Sequence, residues 1–224
     1  IYYVSGGGLR GVNPVYPVAA GLALAVHFAS WLESLNHVSV AVSTALVSTY
    51  PVFTAAYEAV RGRVSLPRLA GVGLAIAGVT VLSRPWGAPP GHWYGAALAL
   101  LGAASGAAYF QVGRLARSRG YGVAGYTLLT YLAALAAVSA FSLAAGVDPL
   151  HPPPRSIPYL VLLGLVPMIL GHTMLNYALR FYSATLVTTL TLLEPFGAAI
   201  LAAIVLGEAP DPLTPPAMAA TVAG

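Results

Sequence analysis

Glu194 and Pro195 stand side by side in an apolar run that continues to Leu206-Gly207-Glu208, with hydroxyls just upstream at Thr185, Thr188, Thr189 and Thr191. A carboxylate within a bilayer is costly unless it faces protein or water. Pro195 has no N–H to give the carbonyl of Thr191. Together they predict a broken, polar-rimmed spot at mid-membrane depth, the kind of place where a transported solute binds. Glu194 has two readings there. It lines a cavity and binds a cationic group or a proton, or it hydrogen-bonds to backbone freed by Pro195 and braces the kink. Thr49-Tyr50-Pro51 is a weaker copy of the same pattern, with an amphipathic ring in place of the acid.

Other polar side chains fall in apolar runs. His27 is near the middle of the first run and can titrate near neutral pH. Glu33 is six residues further on, about 240° around a helix, so the two cannot share a face. His172 and Asn176 are one turn apart and do share one. Trp31, Tyr109 and Gln111 add aromatic and amide surface. Each is a candidate for solute contact, and for each the alternative is a satisfied hydrogen bond or packing contact between helices. Gly102 and Gly106 have the spacing of close helix packing.

These residues need a scaffold, and composition says which. The chain is 58% hydrophobic and 7% charged, with a mean hydropathy of +0.80. A soluble domain carries about 25% charge. A multi-spanning, all-α membrane protein follows. Its net charge of +4 comes from arginines between apolar runs, which orient a membrane protein rather than bind nucleic acid. There is no cysteine, so thiolate chemistry and cysteine-ligated metals are excluded. No paired carboxylates, phosphate loop or metal-ligand spacing appears, so no catalytic residue, metal or cofactor is expected.

Spanning helices need about 20 mostly apolar residues. The runs are Val15–Leu35, Val38–Val60, Leu66–Leu82, Trp93–Leu115, Tyr121–Ala145, Ile157–Leu179 and Ala184–Leu206, with an eighth beginning near Pro216. The chain opens at Ile1 without a Met and stops mid-pattern, so both ends read as cut. Arg10, Arg61, Arg63, Arg68, Arg114, Arg117, Arg119 and Arg180 fall on one side of the membrane, Arg84 and Arg155 on the other. The positive-inside rule places the first side in the cytoplasm and Glu208 and Asp211 outside.

Displaced by 144 positions, the offset between Pro51 and Pro195, two stretches overlay without a gap. Ser39 meets Ser183, Thr44 meets Thr188, and Pro51 meets Pro195. Five span-to-span steps separate the copies. Five is odd, so the copies cross the membrane in opposite directions, as in many secondary transporters.

Thr49-Tyr50-Pro51-Val52-Phe53, and Leu193-Glu194-Pro195-Phe196 with Leu206-Gly207-Glu208, resemble the EamA repeats of the drug/metabolite transporter superfamily. Leu69-Ala70-Gly71 with Ala77-Gly78-Val79 fits too. The resemblance implies a polytopic helix bundle of inverted five-helix repeats, ten helices in the family, of which about seven and part of an eighth are here. Residues 1–88 would be the first repeat and 89–224 the second. An acid common at the end of the family's fourth helix is replaced here by Gly62-Arg63-Val64.

The expected function is a secondary transporter, with the lipid bilayer and a small organic solute as partners and the proton as a coupling ion. Glu194, Tyr50, His27, Trp31, His172, Asn176, Tyr109 and Gln111 would touch solute, and Pro51 and Pro195 would be hinges. An amino-acid-like solute fits a mostly apolar pocket. Sugar phosphates want several fixed cations, and no span carries an arginine at mid-depth. The family resemblance favours export. One alternative is an intramembrane serine protease pairing Ser105 with His172, but Ala103 stands where rhomboid proteases want glycine. The other is a structural membrane protein that moves nothing.

Overall fold

A computed structural model of the chain describes residues 13–61, 92–207 and 212–223, with scattered helical positions between 67 and 81. The third expected span therefore lies mainly outside the described residues. So do Arg10, Arg63, Arg68, Arg84, Glu208 and Asp211. Every regular element among the described residues is helical, so the protein is an all-α polytopic membrane protein.

Helix α1 spans Val15–Ser34. The Asn13 side chain accepts from the Val15 N–H at 3.0 Å, satisfying one of the donors that a helix start leaves open. At the other end the Glu33 carboxylate accepts from Asn36 Nδ2 at 3.0 Å and meets His37 Nε2 at 3.1 Å. Glu33 thus holds the tight turn that follows. Helix α2, Val40–Val47, starts at Ser39, whose hydroxyl caps the Val42 N–H. After the turn at Ser48-Thr49, α3 runs Tyr50–Val60.

Helix α4, His92–Ser118, and helix α5, Val123–Ala144, are long enough and apolar enough to cross a bilayer. The segment Pro154–Ala178 also qualifies. It opens with a 3₁₀ turn, continues as α6 (Ile157–Leu163), widens into a π-helix over Gly164–Thr173, and closes as α7 (Met174–Ala178). Helix α8, Ala184–Thr189, tightens to 3₁₀ over Leu190–Leu193 before α9, Glu194–Val205. Helix α10 covers Thr214–Ala223.

The expected spans thus meet helices at nearly the same residues, with three differences. Two spans are broken, one is partly π-helical, and α4 runs three residues past its expected end. Arg117 consequently lies on α4 with Arg114 instead of in a loop, and Arg119 is in the turn.

The helices form two compact units. One comprises Ile1–Ala25 and Tyr109–Ser183, the other Val26–Ala108 and Ala184–Gly224. Neither follows a sequence half. In the second unit α2 packs along α9 and α3 along α8. The start of one broken span lies against the end of the other, so the two run antiparallel. The Thr54 and Thr188 hydroxyls are bonded across them at 3.2 Å.

Candidate functional site

The two broken spans break at matching places. The Ser48-Thr49 turn and the 3₁₀ residues Leu192-Leu193 are the same positions under the 144-residue offset. Each proline is the second residue of the helix that follows the break. There a missing N–H costs little, because the first turn of a helix leaves its donors unpaired anyway. Pro51 therefore starts a new half-helix after a turn, whereas Pro195 sits where 3₁₀ winding returns to α within a continuous helix. Hydroxyls back-bond beside both breaks, Thr49 to the Leu46 carbonyl and Thr191 to the Thr188 carbonyl, each at 2.7 Å. Such bonds offer the backbone a local alternative to the helical ladder.

Tyr50 and Glu194 occupy equivalent positions in opposite settings. Tyr50 is buried and Glu194 is exposed. Glu194 is the first residue of α9, directly after the 3₁₀ residues, and its backbone N–H donates to the Thr191 carbonyl. Its charge is within electrostatic reach of the Tyr50 phenol.

Around Tyr50 the second unit gathers three of the expected residues. His27, buried on α1, has its Nδ1 2.9 Å from the Gly102 carbonyl and its Nε2 3.5 Å from the Tyr50 hydroxyl. A carbonyl only accepts, so Nδ1 carries the proton and Nε2 accepts from Tyr50. Trp31 lies 5.8 Å from the His27 ring, centroid to centroid, and its buried Nε1 has no hydrogen-bond partner. Gly106 makes room for the cluster: a Cβ there would lie 2.4 Å from Tyr50 Cε1 and 3.1 Å from His27 Nδ1.

The first unit gathers another three. Asn176 is buried, and its amide donates to the Tyr109 hydroxyl and, at 2.7 Å, to the His172 carbonyl. The His172 ring stacks on Phe110 at 6.1 Å and meets Tyr109 edge-on at 5.6 Å. Gln111 is half-buried two residues along α4, and its Nε2 has no partner.

Sequence reasoning passed over Tyr131. Its hydroxyl donates to the Met168 carbonyl at 3.3 Å and meets the Thr173 hydroxyl at 3.0 Å. Met168 lies in the π-helix, where the i→i+5 pattern loosens the ladder, and such segments are frequent at functional sites. The available signal was the set Tyr126, Thr127, Thr130 and Tyr131, polar residues at helical spacing in an apolar span. Ser105 is occupied with its own helix, donating to the Leu101 and Gly102 carbonyls at 2.7 and 3.1 Å.

Apolar spans with polar clusters buried among them define a polytopic membrane protein. Residues 93–224, more than half of the chain, match the model of the EamA-like transporter family. The chain belongs to that family, and so is a membrane-embedded transporter of the drug/metabolite type, acting on a small-molecule solute. Among solved structures, one described only as a crystal structure of a protein superposes with a TM-score of 0.68. It is 20% identical, with 96% of this chain and 75% of that chain covered, and at that identity the likeness shows the fold alone. No curated protein matches the chain. The family consists of transporters, not enzymes.

Proposed function

We propose that this protein is a secondary transporter that moves an amino-acid-like metabolite by alternating access, in the direction of export. The observation that carries the reading is the antiparallel pair of spans broken at matching positions. The first span is two short rods joined by the Ser48-Thr49 turn and the second two rods joined by a 3₁₀ segment, and at each junction the α ladder is interrupted so that the rods can tilt. Pro51 and Pro195 act as hinges because they fix the first turn of the rod beyond each break. Residues 1–88 and 89–224 are the two inverted repeats.

Glu194, Tyr50, His27, Trp31, His172, Asn176, Tyr109 and Gln111 contact the solute in the course of transport. The buried Trp31 Nε1 and Gln111 Nε2 support this, since a buried donor without a partner costs about 1–3 kcal/mol until something accepts from it. His27, His172 and Glu194 make the proton the coupling ion. The protein sits in the cell membrane with Arg61, Arg63, Arg114, Arg117 and Arg119 on the cytoplasmic side.

The test is a screen of labelled amino acids in liposomes containing the full chain, with and without a pH gradient, repeated with Glu194→Gln. Saturable flux above empty liposomes, accelerated by the gradient and lowered at least tenfold in the variant, is the expected result. Flux that ignores the gradient removes proton coupling, and unchanged flux in Glu194→Gln leaves that residue a helix-start brace.

A further inference from the structure

Four helix ends meet at one face of the first unit: the start of α1, the end of α4, the start of α5 and the end of α7. Arg114 Nη1 donates to the carbonyls of Leu179 and Arg180, at 2.7 and 3.0 Å, just beyond α7. Carbonyls at a helix end favour cations. Arg117 is only 1% exposed, its Nε donates to the Asn176 carbonyl at 3.2 Å, and its Nη1 donates to the Tyr121 carbonyl. Among the described residues neither arginine meets a carboxylate. Nor does the unit hold one nearby. Its sequence, residues 1–25 and 109–183, contains a single acid, Asp148. That residue lies beyond the far end of α5, whose 22 residues span about 33 Å. Exposed charges are screened beyond about 8 Å.

Arg119, in the turn between α4 and α5, is exposed, and its Cζ lies 4.9 Å from the centre of the Tyr16 ring. That seat is fixed from two sides. Tyr121 meets Tyr16 edge-on at 5.7 Å, and its hydroxyl accepts from the Asn13 N–H at 3.1 Å and donates to the Asn13 carbonyl at 3.4 Å. The turn itself is a tight helix stop. Gly120 has a φ of +89°, and the Gly120 and Tyr121 N–H groups return to the Arg117 and Ala116 carbonyls. A guanidinium over a ring keeps the N–H groups at its edge, which form a forked pair of bonds with a phosphate. Among the described residues no ion pair takes up those of Arg119. Helices α1, α4 and α5 are each long and apolar enough to cross a bilayer, so their shared end lies at headgroup level. Val15, Val18 and Leu22, one face of α1, are exposed on the helix that carries Tyr16.

We infer that Arg119, seated on Tyr16 and backed by the charges of Arg114 and Arg117, binds the phosphate of an anionic phospholipid headgroup. The phosphate accepts from the Arg119 guanidinium, and the acyl chains lie along Val15, Val18 and Leu22. A free phosphate would gain the same bonds but nothing from that apolar face. Clustered basic residues where helices leave the membrane are suited to anionic headgroups. Such a seat needs only that the chain is embedded in a bilayer, whatever solute it moves. It gives Arg119 a ligand where arginine counting gives it only an orientation.

The test is native mass spectrometry of the full chain released from detergent micelles. Phosphatidylglycerol and phosphatidylcholine with the same acyl chains are offered in equal amount. The wild type is expected to retain phosphatidylglycerol about fivefold or more over phosphatidylcholine, the factor that about 1 kcal/mol per surface arginine represents. Arg119→Gln should bring that ratio close to unity and leave the melting temperature unchanged. Tyr16→Leu keeps the charge and removes its seat, so the ratio should fall about twofold or more. Arg155→Gln removes an exposed arginine before α6, at the opposite end of the unit, and should leave the ratio as it is. Glycerol 3-phosphate should not displace the lipid. Equal retention of the two lipids by the wild type overturns the site, and so do equal losses from Arg119→Gln and Arg155→Gln. Displacement by glycerol 3-phosphate would mean that the anion alone is bound, and it overturns the lipid assignment. Should Arg119→Gln fail to fold, Tyr16→Leu decides alone, and an unchanged ratio there sinks the site.

Discussion

Where one broken span carries Tyr50, buried and bonded to His27, the antiparallel partner carries Glu194, exposed at the start of α9. The surroundings differ as much as the residues. Around Tyr50, Gly106 and the His27 ring leave no spare volume. In α9, Gly197 has nothing within 4 Å of where its Cβ would be. Two copies of one backbone break can therefore play unequal parts. The first is clamped to α1 and α4 by an aromatic and hydrogen-bonded cluster, and the second keeps its polar group uncovered by the chain. A carrier whose two halves were alike in chemistry would have no means of favouring one orientation of its solute.

The glycines give the largest expected effect. Gly106→Ala must displace a rigid ring, which costs about 1–3 kcal/mol and lowers the melting temperature of detergent-solubilised protein. Gly197→Ala should be neutral or stabilising by up to about 1 kcal/mol, since alanine is the better helix former and meets no neighbour. Equal losses at the two positions would erase the contrast. Next comes His27→Leu, which leaves the Gly102 carbonyl and the Tyr50 hydroxyl without the ring between them, at a cost of about 1–3 kcal/mol. Glu194→Gln should leave thermal stability within about 1 kcal/mol of wild type.

Smaller still is Thr54→Val. It removes the hydroxyl bond to Thr188 that ties the copies together, and such bonds within membranes average about 0.6 kcal/mol. The smallest effect lies outside both copies. Asp148, in the loop after α5, is held below the usual carboxylate range first by its hydrogen bond from His151 and then by the Leu150 N–H. A depressed carboxylate stabilises the fold above its unfolded pKa, and the contribution fades as pH falls below about 4. Asp148→Asn should therefore leave the melting temperature unchanged below that range. At neutral pH its effect should be slight, because the group is fully exposed.

Hydropathy made the spans at Val15, Trp93, Tyr121 and Ile157 legible almost to the residue, because a bilayer demands a minimum length of apolar chain. Pro51 and Pro195 marked the breaks to within a turn. They did not show that the interruptions precede them at Ser48-Thr49 and Leu190–Leu193, since a proline tolerates the first turn of a helix. The π-helix at Gly164–Thr173 contains Pro167, which has no N–H for the α ladder, but a proline alone does not say that the helix widens around it. Of the expected site, His27 with Tyr50 and Tyr109 with His172 and Asn176 were named individually, but sequence spacing said nothing about which would meet. Arg117 was hidden by a sound rule applied to an unsuitable residue: counting arginines for orientation treats them all as exposed, and this one is buried.

The chain has no cysteine, so paired cysteines can report how the two broken spans lie. Thr54→Cys with Thr188→Cys, oxidised in the membrane and scored by a mobility shift after cleavage of the intervening chain, tests the account most directly. An antiparallel pair predicts that these two cross-link and that Thr44→Cys with Thr188→Cys does not. Cross-linking of residues 44 and 188, with 54 and 188 left free, would mean that the copies run the same way, and the transport mechanism built on their opposition would fail.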